Sequence, residues 1–323
     1  MELNIVGTNA ITYPAMHVWD WRVAIYLFLG GLSGGLMTMS AINYLRPNRT
    51  PESTCSWQIP VLAPILLTIG LFFLNLDLER KLNAFWFYLT FKPVSPMSWG
   101  AWIVLIIYPL MILYALASLP KDVKGKITTP AIRNAADTLQ PYLLPLAKAN
   151  VIAGIILAIY TGVLLSTLVA RPLWNSAILP VLFLTSGMSA GAAVMIIVAQ
   201  SKEVKLFFTK VDIWLIITEV VVLLLFFYGH YTGDAAHRQA IMPFFSGSHE
   251  FFPYFLSIVA LGVCLPLAIV LKFLEVTGEH TEELTTSGLL LMNASAVLVL
   301  IGGAVIRFAI VYAGQLSGYG GYM

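Results

Sequence analysis

The feature that most constrains this chain is a series of eight apolar runs, each about 20 residues long. A helix of that length crosses the roughly 30 Å hydrocarbon core of a bilayer. Helices are required there because lipid offers no hydrogen-bond partner to an open backbone. The predicted spans are Ala24–Tyr44, Trp57–Asn75, Trp99–Ser118, Ala149–Val169, Ala177–Gln200, Val211–Tyr228, Phe252–Leu271 and Ser287–Tyr312. The sequence therefore predicts an all-α integral membrane protein with about eight transmembrane helices.

Composition agrees with this class. Of 323 residues, 59% are hydrophobic and 11% are charged, whereas a soluble domain carries roughly 25% charged residues. The net charge of +2 gives no indication of nucleic-acid binding. The longest predicted loop, Leu119 to Lys148, contains four prolines and is expected to be a surface connection. Because no basic region with a cleavage site opens the sequence, we expect no removable signal peptide.

Basic residues are unequally shared between the two sets of loops, and this imbalance predicts the orientation. One set carries Arg46, Arg49, Lys121, Lys124, Lys126, Arg133, Lys148, Lys202, Lys205, Lys210 and Lys272. The opposite set carries Arg22, Arg80, Lys81, Lys92, Arg171 and Arg238. The richer side is predicted to be cytoplasmic, so both termini are predicted to be periplasmic in a bacterial inner membrane.

An internal repeat relates the first and fifth spans. Tyr26–Gly35 (YLFLGGLSGG) aligns with Leu182–Gly191 (LFLTSGMSAG). An even number of spans separates the two copies, so they run in the same direction, as in a parallel repeat. We therefore expect two four-helix bundles, residues 1–148 with 149–175 and residues 176–323. The small residues at spacing four indicate close helix packing, with a ligand over the glycines as the alternative.

Haem and metal centres are not favoured by the histidines and cysteines. His17, His230, His237, His249 and His280 all fall in loops or at predicted helix ends. Membrane cytochromes hold haem between histidines buried on facing helices, so we expect no haem. Two cysteines, Cys55 and Cys264, are too few for an iron–sulfur cluster in this chain. A metal held by His230, His237 and Asp234 stays as an alternative to a wet periplasmic loop.

Ionisable residues at membrane depth are functional candidates by default. Glu219 lies near the middle of the sixth span and is expected either to handle protons or to be a neutral hydrogen-bonded acid. Arg307 lies within the last span. Asp77 ends the second span and is either a proton site or the ion-pair partner of Arg80. The hydroxyl of Tyr160 either bonds a neighbouring helix or donates to a ligand carbonyl.

Four segments together resemble the NrfD/PsrC family, the membrane subunit of polysulfide reductases and related respiratory complexes. They are Trp19–Gly35 (WDWRVAIYLFLGGLSGG), Ser95–Trp102 (SPMSWGAW), Ile178–Ala193 (ILPVLFLTSGMSAGAA) and Arg307–Gln315 (RFAIVYAGQ). The resemblance implies a haem-free anchor subunit that binds menaquinone or another quinone. It also implies a ferredoxin-like iron–sulfur partner on the periplasmic side, which serves a molybdenum-pterin catalytic subunit or a multihaem cytochrome.

The resemblance further implies a quinone pocket in the first four helices, toward the periplasm. Tyr160 precedes Arg171–Asn175 (RPLWN) as the pocket tyrosine of the family does. Tyr26 occupies the position of a pocket histidine, so Tyr26, Asp20 or His17 is expected to supply the second polar ligand. The complete set of predicted quinone-binding residues is Tyr160, Tyr26, Asp20, His17, Arg80 and Arg171. The predicted proton-handling residues are Asp77, Glu219 and Arg307.

Three interpretations follow from these residues. The first is a quinone-binding subunit that exchanges electrons with the iron–sulfur partner and is not a complete enzyme. The second is a proton-conducting or transporter-like unit, based on the repeat, Glu219 and Arg307. The third is a membrane anchor with a degenerate pocket. Co-purifying subunits separate the first from the second, and replacement of Tyr160 separates the first from the third.

Overall fold

A computed structural model describes residues 19–47, 57–78, 81, 85–247, 249–277 and 286–318. Two predicted quinone-binding residues, His17 and Arg80, lie outside the described residues. The described part is helical and contains no β-strand. Its helices are Trp21–Leu45 (α1), Gln58–Asp77 (α2), Trp86–Leu89 (α3), Pro96–Ala117 (α4), Lys121–Lys126 (α5), Pro130–Leu139 (α6), Leu143–Ser166 (α7), Leu179–Val198 (α8), Lys202–Thr232 (α9), Ala235–Phe245 (α10), Phe252–Ser257 (α11), Leu265–Thr277 (α12) and Thr286–Leu316 (α13).

Eight helices within the described residues are long and apolar enough to cross a membrane, which confirms the predicted fold class. Each overlaps one predicted span. The sixth runs farther than the predicted Val211–Tyr228 and covers Lys202–Thr232. The polar turns that contain Lys202 and Lys210 are helical as well, although they do not belong to the apolar run. The seventh changes to π-helical turns over Ile258–Cys264 between α11 and α12.

The predicted loop between Leu119 and Lys148 is largely helical, and this part of the prediction was wrong. It contains α5, α6 and the first turns of α7. Pro130 occupies the first turn of α6, where a proline leaves no hydrogen bond unmade and its fixed φ suits a helix. The prolines therefore begin helices here instead of excluding them. Most of α6 is exposed, so the segment does lie at the surface as expected.

Two helices, α1 and α8, form the centre of the bundle. In the most apolar window of each, 78% of the residues are buried, compared with 28% in α2 and α9. The central pair meets through glycines, because a Cβ at Gly191 would overlap the backbone carbonyl carbon of Gly35 and a Cβ at Gly187 would lie 2.8 Å from the carbonyl oxygen of Gly31. The glycine stripes thus pack helix against helix, as the first alternative predicted.

The glycines that meet are the ones that the repeat pairs with each other. Gly31 lies against Gly187, and Gly35 lies against Gly191. Contacts between equivalent residues are what a two-fold axis passing between the two copies would produce. The repeat itself and the division into two bundles at residues 175 and 176 stay predictions.

Candidate functional site: a cavity in the first half of the bundle

A cavity of about 230 Å³ opens among α1, α2, α4 and α7, at the end where α1 begins and α2 ends. This is the end that is predicted to be periplasmic. Leucines, valines and an alanine form most of the walls. The polar side chains at the cavity belong to Tyr26 of α1, Asn75 and Asp77 of α2, Tyr88 of α3 and Tyr160 of α7. Residues from four separate helices therefore converge on one space.

Tyr160 is held in the cavity by the first turns of α4. Its side chain is 5% exposed, and its hydroxyl donates a 3.0 Å hydrogen bond to the carbonyl oxygen of Pro96. The ring lies directly over Gly100, where any Cβ would overlap the Tyr160 hydroxyl. Gly100 is thus the residue that makes room for Tyr160. It belongs to one of the four segments that resemble the family, but it was not predicted to have a role.

Tyr26 comes to the same cavity from α1 and is 7% exposed. Within the described residues its hydroxyl has no hydrogen-bond partner. A buried tyrosine hydroxyl ordinarily finds a partner. The Tyr26 hydroxyl is therefore available to a ligand in the cavity, whereas the Tyr160 hydroxyl is already engaged with the backbone.

Asp77 ends α2 at the rim of the cavity, with 11% of its side chain exposed. One carboxylate oxygen lies 3.6 Å from Nη2 of Arg22. The same guanidinium donates to Oδ2 of Asp20 at 2.7 Å and to the carbonyl oxygen of Leu76 at 2.8 Å. Arg22 therefore links a carboxylate in the cavity to a carboxylate outside it.

Asp20 precedes α1 and caps it, since its side chain accepts a 2.8 Å hydrogen bond from the backbone N–H of Arg22. It lines a second, shallow cavity together with Glu250 and Gln315. The hydrogen bond from the Arg22 side chain holds the pKa of Asp20 below its usual value near 3.8. Asp20 is 36% exposed and stays ionised at neutral pH.

Arg171 lies away from the cavity, in the loop that follows α7. It donates hydrogen bonds to the carbonyl oxygens of Gln315 and Ser317 at 2.8 and 2.9 Å. Burial lowers its pKa below the usual 12.5. The side chain of Gln315 in turn bonds both the backbone N–H and the carbonyl oxygen of Trp19 at 2.8 and 2.7 Å. Because Trp19 lines the cavity, Arg171 supports the cavity wall indirectly and makes no contact with the space itself.

Glu219 and Arg307 form a separate buried cluster in the second half of the chain. Arg307 is 1% exposed and donates to the hydroxyl of Ser186 and, at 3.0 Å, to the carbonyl oxygen of Phe183. Glu219 is 4% exposed and interacts electrostatically with Arg307. Its Oε1 has no hydrogen-bond partner within the described residues. Neither residue lines the cavity near Tyr160.

Asp212 belongs to the same face of α9 as Glu219 and was not among the predicted site residues. It is 2% exposed and accepts a 2.6 Å hydrogen bond from the hydroxyl of Ser189 on α8. The predicted sixth span begins at Val211, which puts Asp212 at a membrane surface. The signal that was available is its spacing of seven residues from Glu219, which places both carboxyl groups on one side of a helix.

The metal site considered at His230, His237 and Asp234 is not supported by the geometry. Both ring nitrogens of His230 lie against backbone carbonyl oxygens, Nδ1 at 2.8 Å from Phe226 and Nε2 at 3.2 Å from Pro172. His237 bonds Asp234 at 2.6 Å. No group of three or more metal-ligating side chains that could hold an ion occurs within the described ranges.

The structure thus brings three of the predicted residues, Tyr26, Asp77 and Tyr160, to one cavity. Asp20 is one ion pair farther out. Two further residues at this site, Arg22 and Gly100, were not predicted to have a role. For Arg22 the available signal was a cation in the first turn of an apolar span, flanked by Asp20, because charges at membrane depth need partners.

Eight apolar helices long enough to cross a membrane, four of which enclose a cavity with tyrosine and carboxylate groups, define a polytopic membrane protein. Residues 9–317 match the model of the family described as polysulphide reductase, NrfD. The polypeptide is 30% identical over 314 positions to the C chain of the polysulfide reductase of Wolinella succinogenes, and the match spans 92% of the present sequence and 94% of that protein.

Two further relatives match over a similar extent. Protein NrfD of Escherichia coli is 28% identical, with coverage of 96% of this sequence and 98% of the relative. The C subunit of the tetrathionate reductase of Salmonella typhimurium is 24% identical, with coverage of 93% and 82%. The chain belongs to the polysulphide reductase NrfD family and is an integral membrane protein, as the resemblance predicted.

Proposed function

We propose that this chain is the membrane subunit of a respiratory reductase complex that binds a quinol and passes its electrons to an iron–sulfur subunit at the periplasmic face. The observation that carries the proposal is the cavity at which Tyr26, Asp77 and Tyr160 meet. The names of two relatives, one a component of a polysulfide reductase and one a component of a tetrathionate reductase, support a place in a reductase complex.

The residues at the cavity suit a quinone head group. Such a head group is a flat apolar ring with one oxygen at each end, so it needs apolar walls and two polar contacts. The cavity offers leucine and valine walls together with the hydroxyls of Tyr26 and Tyr160. Tyr88 and Met97 line it and are 38% and 50% exposed, so the cavity reaches the outside of the bundle. A membrane-soluble tail can leave there.

The side chains of this cavity bind the head group and move protons. Quinol, as the substrate, supplies two electrons and two protons, while the protein supplies binding, orientation and electrostatics. Rotation of the Tyr160 O–H away from Pro96 turns its hydrogen toward the cavity. Asp77 accepts a proton as general base. Arg22 orients Asp77, and Asp20 offers the next acceptor toward the aqueous side.

The proposal includes the partners and the location that the resemblance implies. A ferredoxin-like subunit docks on the end of the bundle at which the cavity lies, and a molybdenum-pterin subunit or a multihaem cytochrome completes the complex. The quinone is menaquinone or a related compound. The protein lies in a bacterial inner membrane with both termini in the periplasm, which is the orientation that the distribution of basic residues predicts.

The Gly100→Ala variant tests whether the cavity is the quinone site. The added Cβ displaces the Tyr160 ring, so we expect quinone extracted from the gently solubilised complex to fall by about tenfold, since misplaced contacts commonly cost about 10²-fold in rate. Gly125→Ala is the matched control, because a Cβ at Gly125 meets no atom within 4 Å.

Three results would count against the proposal. Quinone retention in Gly100→Ala equal to that of Gly125→Ala would place the quinone elsewhere. Purification of the wild-type protein without iron–sulfur and catalytic subunits would remove the reductase assignment. Full quinol-driven activity of Gly100→Ala would favour a plain membrane anchor.

A second function, proton conduction, is favoured by the buried carboxyl groups of α9. Asp212 and Glu219 are seven residues apart, which is about 10 Å along a helix. Each lies beside α8, Asp212 at the hydroxyl of Ser189 and Glu219 near Arg307, which bonds Ser186. Titratable groups and hydroxyls in such a row are the elements of proton relays in membranes.

Proton flux into liposomes containing the purified complex tests this second function. We expect the number of protons moved per quinol oxidised to be lower in Glu219→Gln than in the wild type, with quinol oxidation and the protons that it releases retained. Asp234→Asn is the control, since Asp234 is an exposed carboxylate outside the spans. Equal fluxes in Glu219→Gln and wild type would restrict the protein to electron transfer.

A further inference from the structure

A third cavity, larger than the one around Tyr160, lies at the opposite end of the bundle, between the end of α1 and the first three turns of α9. Its volume is about 550 Å³. It is far from the cavity around Tyr160, because α1 spans the bundle between the two ends. The residues that line it are Arg46, Pro47, Lys202, Glu203, Leu206, Phe207 and Lys210. This is the end that is predicted to be cytoplasmic.

The cavity has an excess of positive charge. Three of its lining side chains are basic and one, Glu203, is acidic. Glu203 is already paired, since its Oε1 lies 2.9 Å from Nη2 of Arg46. Within the described part of the protein, neither Lys202 nor Lys210 has an ion-pair partner. The two ammonium groups are therefore left without compensation at one cavity.

Arg46 is held rigidly and still has one unused donor. Its side chain is 11% exposed, and its guanidinium lies 4.7 Å from the centre of the Phe207 ring. Its Nε is buried and has no hydrogen-bond partner among the described residues. The fixed guanidinium therefore contributes its positive charge to the cavity, where it favours an anion.

The surface next to the cavity is suited to hydrocarbon. Beyond Lys210, α9 continues with Trp214, Val221 and Leu224, which are 71%, 50% and 65% exposed. Residues at spacings of three, four and seven share one face of a helix. An anion bound at the lysines therefore lies at the head of an apolar strip on the lipid-facing side of α9, and a free inorganic anion would leave that strip unused.

We propose that this cavity binds the phosphate of an anionic phospholipid headgroup, with the acyl chains along the outer face of α9. Basic pockets between transmembrane helices on the cytoplasmic side have the chemistry that such headgroups need. The phosphate contacts Lys202 and Lys210, and the guanidinium of Arg46 adds a third positive charge at the same cavity. Since Arg46 ends α1 and Lys202 begins α9, the bound lipid joins the two halves of the molecule at this surface.

Native mass spectrometry of the full-length protein in mild detergent, titrated with phosphatidylglycerol, tests the proposal. We expect one tightly bound phosphatidylglycerol for each wild-type molecule, and an affinity lower by roughly 30-fold in the Lys202→Gln, Lys210→Gln double variant, since each basic residue near a membrane surface contributes about fivefold. The double variant Lys126→Gln, Lys148→Gln is the matched control. It removes two exposed lysines from the same end of the protein and should bind as the wild type does.

Two competitors identify the source of the phosphate. Millimolar inorganic phosphate should not displace the lipid, and phosphatidylcholine should bind at least tenfold more weakly. Displacement by phosphate would assign the cavity to a free anion and overturn the lipid assignment. Equal binding of both phospholipids, or equal loss of binding in the control variant, would also overturn it. Neither variant alters the Arg46–Glu203 pair, and an unchanged melting temperature shows that the fold is retained.

Discussion

The cavity around Tyr160 and the buried cluster around Glu219 keep carboxyl groups in opposite settings. Asp77 lies at an opening, 11% exposed, with Arg22 at 3.6 Å. Glu219 is 4% exposed and is enclosed among α8, α9 and α13. A small molecule can reach the first carboxyl group. The second is buried among packed helices and does not line that cavity.

The aligned motifs of the predicted repeat also differ between the two halves, in the polar residues that they carry. Tyr26 in α1 corresponds to Leu182 in α8, and Gly30 corresponds to Ser186. In the first half the motif therefore carries the hydroxyl of Tyr26, which lies at a cavity. In the second half it is a serine hydroxyl that accepts from Arg307. The same helix pattern thus carries a tyrosine at a cavity in one half and an internal polar network in the other.

Replacement of Asp77 by Asn should have the largest effect on the open site. The amide cannot accept a proton, and loss of a positioned general base commonly lowers the rate by about 100-fold or more. We expect that loss in steady-state quinol oxidation by the purified complex. The exposed Asp122→Asn serves as control. Retention of activity within about twofold would show that Asp77 is a helix-end ion pair, and the contrast with Glu219 would disappear.

Replacement of Arg307 by Leu should have a comparably large effect, but on stability. It removes two hydrogen-bonded contacts to α8 and leaves Glu219 without its buried cation, a change that costs about 3–5 kcal/mol. The melting temperature in detergent should drop sharply, whereas Arg133→Leu, at an exposed site, should change it little.

The double variant Arg307→Leu, Glu219→Leu tests whether the two buried side chains form one network or stabilise the fold independently. If the two side chains form one network, removal of both should restore much of the stability, because no buried charge is left alone. Additive losses would instead show that the two residues act independently. Quinol oxidation should survive in both variants that still fold, since neither residue lines the cavity.

The helices could be predicted from sequence because an apolar run of about 20 residues crosses a membrane as a helix, whereas a membrane-spanning strand is about half that length. Boundaries were less certain where charges enter the helix, as in α9, whose first turns contain Lys202 and Lys210. The loop before α7 was expected only as a surface connection, and its helices were not predicted, although proline is compatible with a first helical turn.

The candidate site could be predicted only in part. Asp77 was a candidate because ionisable residues at membrane depth are conspicuous, whereas the roles of Tyr160 and Tyr26 were implied by the resemblance to the family. Gly100 was not a candidate, since its role depends on the ring of Tyr160 lying over it from another helix. Arg171 was expected at the pocket but bonds the end of α13, because adjacency in a motif does not fix the direction of a side chain.

Replacement of Tyr160 by Phe should have a moderate effect on the open site. Loss of one hydroxyl hydrogen bond to a ligand corresponds to about fivefold in affinity or rate, so quinol oxidation should fall by about that factor with normal protein yield. Tyr142→Phe, at a 60% exposed tyrosine, is the control. Unchanged activity would mean that the bond to Pro96 is the only role of this hydroxyl, and it would favour a membrane anchor with a degenerate pocket over the quinone site.

The smallest effect is expected for Asp20→Asn, measured as a difference in melting temperature against pH. Because the hydrogen bond from Arg22 lowers the pKa of Asp20, the wild-type carboxylate stabilises the fold at neutral pH, and this contribution is lost as the pH falls below about 4. For a group 36% exposed the difference should be about 1 °C at pH 7 and should shrink progressively as the pH falls below about 4. A difference that does not change with pH would show that the cap of α1, and not the charge, is responsible. A pH-dependent difference would instead show that Asp20 is ionised under working conditions, so that it can receive a proton from the cavity and release it to water, which the enclosed Glu219 cannot do.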